Sequence, residues 1–143
     1  MPAKTLPPNQ EKPPIAYLAV PYTSTDPIVM AARWRAVTHA AGWLLTQQGQ
    51  QVFSPITHTH PIKLAANLSD LWEQWAEYDT AVLTHLCSSV VVLCLEGWRT
   101  STGVTAERKL ARQLDLPITY LQPHQCGLKP KYPYQEWTGA ATY

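Results

Sequence analysis

The chain has 143 residues, of which 15% are charged, and a formal net charge of +1. One hydrophobic core serves a chain of this size, and two would leave each half marginal. The near-neutral balance offers no broad basic surface to hold a nucleic-acid backbone, so a polymeric nucleic-acid partner is not expected. The three cysteines form no CxxC pair and read as reduced thiols. The N-terminus lacks the apolar stretch of a signal peptide, and no run approaches bilayer-spanning length. A cytoplasmic protein without membrane association is expected.

Residues 1–14 are rich in proline and polar residues and read as a flexible leader. The apolar run Ile15-Ala-Tyr-Leu-Ala-Val20, ended by Pro21, suits a strand covered on both faces. Asp26-Pro27 supplies an N-cap followed by proline at the first helical position, and Ile28, Ala31, Trp34, Val37, Ala41 and Leu44 recur at helical spacing up to Gly49. Gln51-Val-Phe53 reads as a short strand. Ser54-Pro-Ile-Thr-His-Thr-His-Pro61 reads as a loop, and a second helix is predicted from about Ser69-Asp70 to Leu86. Ser89-Val-Val-Val-Leu-Cys-Leu95 is the most strand-like segment, because three consecutive β-branched residues pack poorly in a helix and well in a buried sheet. A third helix over roughly Val104 to Leu114 and a fourth strand over Leu116 to Leu121 complete the alternation.

Strands alternating with helices imply parallel pairing through right-handed crossovers. The expected fold is a single α/β domain over residues 15–123, a three-layer doubly wound parallel sheet of Rossmann or flavodoxin-like type. Residues 124–143 form a tail with prolines and the aromatics Tyr132, Tyr134, Trp137 and Tyr143.

Ligands of an open parallel sheet bind outside the carboxyl ends of its strands. The loop ending in Ser101, Thr102 and Gly103 is the most informative, since it offers hydroxyls and backbone N–H groups at a helix start that favours anions. It lacks the lysine of a P-loop and the spacing of a dinucleotide fingerprint, so neither ATP nor NAD is indicated and no cofactor is expected. Glu107 lies one helical turn inside that start, with its carboxylate aimed back at the loop and the helix dipole favouring the ionised form. Asp79 on the preceding helix is its natural partner, since cleavage at an anomeric carbon pairs an attacking carboxylate with a second group that protonates or orients. Taken alone, each acid also fits an ordinary solvated helix position. His58 and His60 read as base- or phosphate-contacting groups; two imidazoles without a third ligand at fixed spacing do not make a zinc site, and no metal is expected. Tyr22 and Trp98 are candidates for stacking on a base. Trp34, Trp43, Trp72 and Trp75 lie at helical spacing and read as core.

The order Ala16-Tyr-Leu-Ala-Val-Pro-Tyr22, then Tyr78-Asp79 with Leu83 and a Val-Val-Val strand, then Ser101-x-Gly-Val-x-x-Glu107, resembles the nucleoside 2-deoxyribosyltransferase superfamily. It is especially similar to the branch that hydrolyses 2'-deoxynucleoside 5'-monophosphates. It also resembles an uncharacterised bacterial and phage branch, through Ser54 to Ile62 and Gly97-Trp98. The resemblance implies that Glu107 attacks the anomeric carbon, that Asp79 assists departure of the base or holds the sugar, and that Tyr17 positions the nucleophile. It implies a substrate site including Ser101, Gly103 and Val104. Ser101 stands where transferases acting on free nucleosides usually carry an aspartate, which favours a 5'-phosphate that a carboxylate would repel. The aromatic C-terminus is loosely similar to one that some transferases insert into a neighbour's site, implying a homodimer or higher homo-oligomer. The expected activity is N-glycoside hydrolysis of a nucleoside or deoxynucleoside 5'-monophosphate. Deoxyribosyl transfer and a non-catalytic nucleotide-sensing module are the alternatives.

Overall fold

The computed structural model describes residues 14–134. The leader, save its last residue, and the tail from residue 135 onward, including Trp137 and Tyr143, lie outside the described residues. The elements run β1 (Ile15–Ala19), α1 (Pro27–Gln47), β2 (Gln51–Phe53), α2 (Pro55–Ala66), α3 (Trp72–His85), β3 (Ser89–Leu93), α4 (Thr102–Gln113), β4 (Ile118–Leu121) and a short 3₁₀ turn over Pro123–Cys126. All three strand pairings are parallel, in the order β2-β1-β3-β4. The chain is thus an α/β domain with a Rossmann-like sheet. No described helix is long and apolar enough to cross a membrane.

Alternation along the strands divides the core into two layers. Ala16, Leu18, Val91, Leu93 and Leu95 pack with Ala36, Val37, Ala40 and Leu44 of α1. Tyr17, Ala19, Val90 and Val92 pack with Leu83 of α3 and with Val104 and Ala111 of α4. Each fully buried valine or leucine contributes roughly 1.5–3 kcal/mol through the apolar surface it removes from water. Because α1 covers one face and α3 with α4 the other, the chain winds in opposite directions from β1 and from β3. A crevice opens at the carboxyl ends of these two neighbours, where strand order reverses.

The segment Ser54–Pro61 corrects the expected loop: it forms the start of α2. Pro55 sits at the first helical position, where its missing N–H costs nothing. Pro61 is inside the helix, where it deprives the Thr57 carbonyl of its usual donor. That carbonyl is satisfied from outside, by the Trp34 indole Nε1 at 3.3 Å. Asn67, in the left-handed conformation, then ends α2.

Candidate functional site

The crevice is a cleft of about 430 Å³, within the range of small-molecule sites. Four segments build it: Val20 to Thr23 after β1, the start of α2 at Pro55, Ile56 and Thr59, the start of α3 from Asp70, and the loop from Gly97 into α4.

Glu107 belongs to the inward stripe of α4, between the buried Val104 and Ala111. Asp79 belongs to the inward stripe of α3, one turn before the buried Leu83. Both carboxyls line the cleft, and they are only 7% and 6% exposed. A smaller groove of about 140 Å³ reaches the same pair between α3 and α4, past Thr80, Leu83, Ala106 and Leu110. Tyr17, fully buried in the middle of β1, faces the same layer. Its hydroxyl is near enough to Glu107 to favour the carboxylate, yet no hydrogen bond of ordinary geometry closes between them. Tyr17 Oη and Asp79 Oδ1 are both buried without a hydrogen-bond partner among the described residues. Buried polar atoms are nearly always satisfied, and Asp79 borders the cleft, so its Oδ1 points to a ligand that completes it; Tyr17 lies behind the cleft lining.

Burial reverses the expectation that the helix dipole keeps Glu107 ionised. Loss of hydration, only partly offset by the Tyr17 hydroxyl and reinforced by the Asp79 charge, pushes its carboxyl up to about 8. Desolvation also pushes Asp79 up to about 6. Between these values the pair holds one proton. The same environment, with the Glu107 and Asp79 charges, drives the Tyr17 phenol well above its ordinary value, so its hydroxyl stays a donor.

Ser101 caps α4 by accepting from Val104 N–H at 3.3 Å, and Ser101, Thr102 and Gly103 border the cleft. A Cβ on Gly103 would lie 3.5 Å from the Trp72 ring and 3.8 Å from Glu107 Oε1, in ordinary van der Waals contact with both, which places the start of α4 against these two groups. Val104 lies beneath, fully buried in the core. Tyr22 lines the cleft, and its hydroxyl is bonded to His60 Nδ1 at 2.5 Å. His60 does not line the cleft: it is buried behind Tyr22, stacked on Trp34 at 4.7 Å. Burial, then the Lys63 and Arg35 charges, lower its pKa. His58 and Trp98 also lie off the cleft. His58 is exposed and stacks with Tyr78, and Trp98 is flanked by Arg99, Arg108 and Tyr120.

Two groups that sequence reasoning passed over belong to the cleft. Trp72 and Trp75 line it, correcting their reading as core; α3 turns its first two turns toward the opening. Arg33 lines it as well, donating to the carbonyls of Tyr22 at 3.1 Å and Thr23 at 2.8 Å and to the Tyr134 hydroxyl at 3.4 Å. Its guanidinium would lie 3.6 Å from a Cβ at Gly97, which places a fixed cation beside the loop leading to Ser101. The available signal was an acid standing on an otherwise apolar helical stripe, at both Asp79 and Glu107.

The family model described as a domain of unknown function, DUF1937, matches residues 14–122, and the chain belongs to that family. No curated protein matches the chain.

Proposed function

We propose that this DUF1937 member is an N-glycoside hydrolase that cleaves the base–sugar bond of a nucleoside or deoxynucleoside 5'-monophosphate, with Glu107 as nucleophile. The observation that carries the reading is the pair of buried carboxyls, Glu107 and Asp79, at one cleft with a single proton between them across neutral pH. Glycoside cleavage needs one carboxylate to attack and one acid to protonate the leaving group. The productive arrangement has the proton on Asp79 and the charge on Glu107. Positive charge developing on the sugar ring draws the pair toward that arrangement, because it rewards an anion beside the anomeric carbon.

Glu107 then forms a bond to the anomeric carbon as the C–N bond breaks, its electron pair passing to the base nitrogen, which takes the proton from Asp79. Water next attacks the anomeric carbon and releases Glu107; its proton returns to the carboxyl pair, and its hydroxyl stays on the sugar. Tyr17 supports the ionised Glu107 in this scheme. The guanidinium of Arg33 and the start of α4 support a phosphate subsite. The indoles of Trp72 and Trp75 support a base subsite. The resemblance to the nucleoside 2-deoxyribosyltransferase superfamily points the same way through Tyr17, Asp79, Ser101 and Glu107.

A homo-oligomer is part of the proposal, supported by the loose similarity of the aromatic C-terminus to one that some transferases insert into a neighbour's site; sedimentation measures it. A cytoplasmic setting is supported by the buried thiols of Cys94 and Cys126. The catalytic reading is tested by incubating the protein with a panel of nucleoside and deoxynucleoside 5'-monophosphates and measuring free base. Release that disappears in Glu107→Gln is expected, and no release from any member would remove the reading. Exchange products on adding a second free base would turn it toward transfer.

A further inference from the structure

Among the described residues, four carboxyls line the cleft against a single guanidinium. Asp79 and Glu107 have roles in the proposed chemistry, but Asp70 and Glu73 do not. Glu73 in the first turn of α3 has an ordinary reading, a favourable contact with the helix dipole. Asp70 stands just before the N-cap Leu71, at the same helix end. Its carbonyl accepts from Thr23 Oγ1 at 2.9 Å, and its charge helps push the Tyr22 phenol up to about 12, after burial. Asp70 and Glu73 bracket Trp72 in sequence, with Trp75 one turn further on, and all four residues line the cleft together with Tyr22, Glu73 at its exposed rim. The same cleft is bordered by Asp79, whose buried Oδ1 has no partner among the described residues.

Among the described residues of the cleft these combine flat aromatic surface with acceptors, and the one guanidinium, Arg33, is anchored through Nη1 on the carbonyls of Tyr22 and Thr23. A carboxylate only accepts hydrogen bonds. It therefore matches a ring that carries N–H donors on its edge. Against a ring with a carbonyl at that position, a carboxylate facing the exocyclic group meets an acceptor, and only the ring N–H one atom further along the edge is left to pair with it. Adenine and cytosine carry an exocyclic amino group where hypoxanthine and uracil carry a carbonyl.

We propose that Asp70 and Glu73, with Trp72 and Trp75, form a base subsite that selects amino-bearing bases over their carbonyl counterparts. The inference rests on the nucleotide reading of the cleft and adds its substrate class. Its test uses two matched pairs, the 5'-monophosphates of deoxyadenosine with deoxyinosine and of deoxycytidine with deoxyuridine. Binding is measured by calorimetry on Glu107→Gln, alone and combined with Asp70→Asn or Glu73→Gln. The amino member of each pair should bind about tenfold more tightly, since a site built for a donor rejects the analogue that lacks it. At least one added substitution should cut the preference to about twofold or less, because an amide can donate to the carbonyl.

Binding within about twofold across both pairs, or a preference untouched by either substitution, overturns the inference. Base release by the wild-type chain on the same four nucleotides separates the two claims. Equal release from all four retains the hydrolase reading and overturns the subsite. Preferential binding with no release removes the hydrolase reading and retains the subsite. Failure of all four to bind overturns both.

Discussion

Replacing Glu107 by glutamine tests the central feature of the cleft without assuming any substrate. The side chain keeps its size and loses its charge. In the folded chain burial pushes the carboxyl up to about 8 from an ordinary value of 4.5. At about 1.4 kcal/mol per pK unit, the ionised form carries a folding penalty of roughly 4–5 kcal/mol, reduced where water reaches it through the cleft. Because the folded pKa lies above the unfolded one, the folded state holds an extra proton between about pH 4.5 and 8. Stability from this group is therefore complete below 4.5, falls as the pH rises, and levels off above about 8. Asp79 adds a similar decline that ends near 6, so the range from pH 6.5 to 8.5 isolates Glu107 from it. Across that range the wild-type chain should lose about 2 kcal/mol relative to Glu107→Gln. Urea unfolding at a series of pH values, with the slope checked for constancy, measures the difference. Parallel profiles for the two proteins would refute the argument that the cleft holds Glu107 protonated.

Asp79→Asn should change the shape of the pH profile as well as its height. Base release by the wild-type chain should follow a bell in kcat/KM with limbs near 6 and 8, the two steps of the carboxyl pair. In the variant the alkaline fall should disappear, and the rising limb should lie below 8, because the Asp79 charge no longer raises Glu107. Tyr17→Phe removes a buried hydroxyl without a partner among the described residues, so unfolding should show no loss of stability and a gain of up to about 1–2 kcal/mol. The same change should move the Glu107 titration upward, readable by carbon NMR of labelled glutamate, since the hydroxyl favours the carboxylate. Arg33→Ala should weaken binding of a nucleoside monophosphate about tenfold or more and binding of the corresponding nucleoside much less, with calorimetry on both ligands as the check.

The fold was readable because its strands are short apolar runs, of which Val90-Val-Val92 is the densest, separated by helices with clear periodicity. The start of α2 was not, because two prolines and two histidines in eight residues suggest a loop; only the neighbouring Trp34 indole makes the inner proline tolerable. Glu107 and Asp79 were identifiable from their spacing and from a resemblance. Their protonation was not, since the helix dipole visible in the sequence is outweighed by a burial that tertiary packing creates. Trp72 and Trp75 share their spacing with core residues, and periodicity alone does not tell which apolar face opens onto a cavity. Arg33 lies in a long helix far from any motif, and the backbone carbonyls of Tyr22 and Thr23 that hold it are invisible in a sequence.

The bond from Trp34 to the Thr57 carbonyl has a mechanical consequence. A helix without Pro61 would close that carbonyl on itself and leave α2 joined to α1 through contacts between side chains. Here the missing amide gives α1 a direct hold on the backbone of α2, at the residue after Ile56 and beside the hydroxyl contact of Thr38 with Thr57 at 2.9 Å. The wall carrying Arg33 and the wall carrying Pro55, Ile56 and Thr59 therefore form one stiff jaw. The opposite wall, where the chain leaves α2 at Asn67 and enters α3 at Trp72, is joined to the first by the Thr23 hydroxyl donating to the Asp70 carbonyl at 2.9 Å.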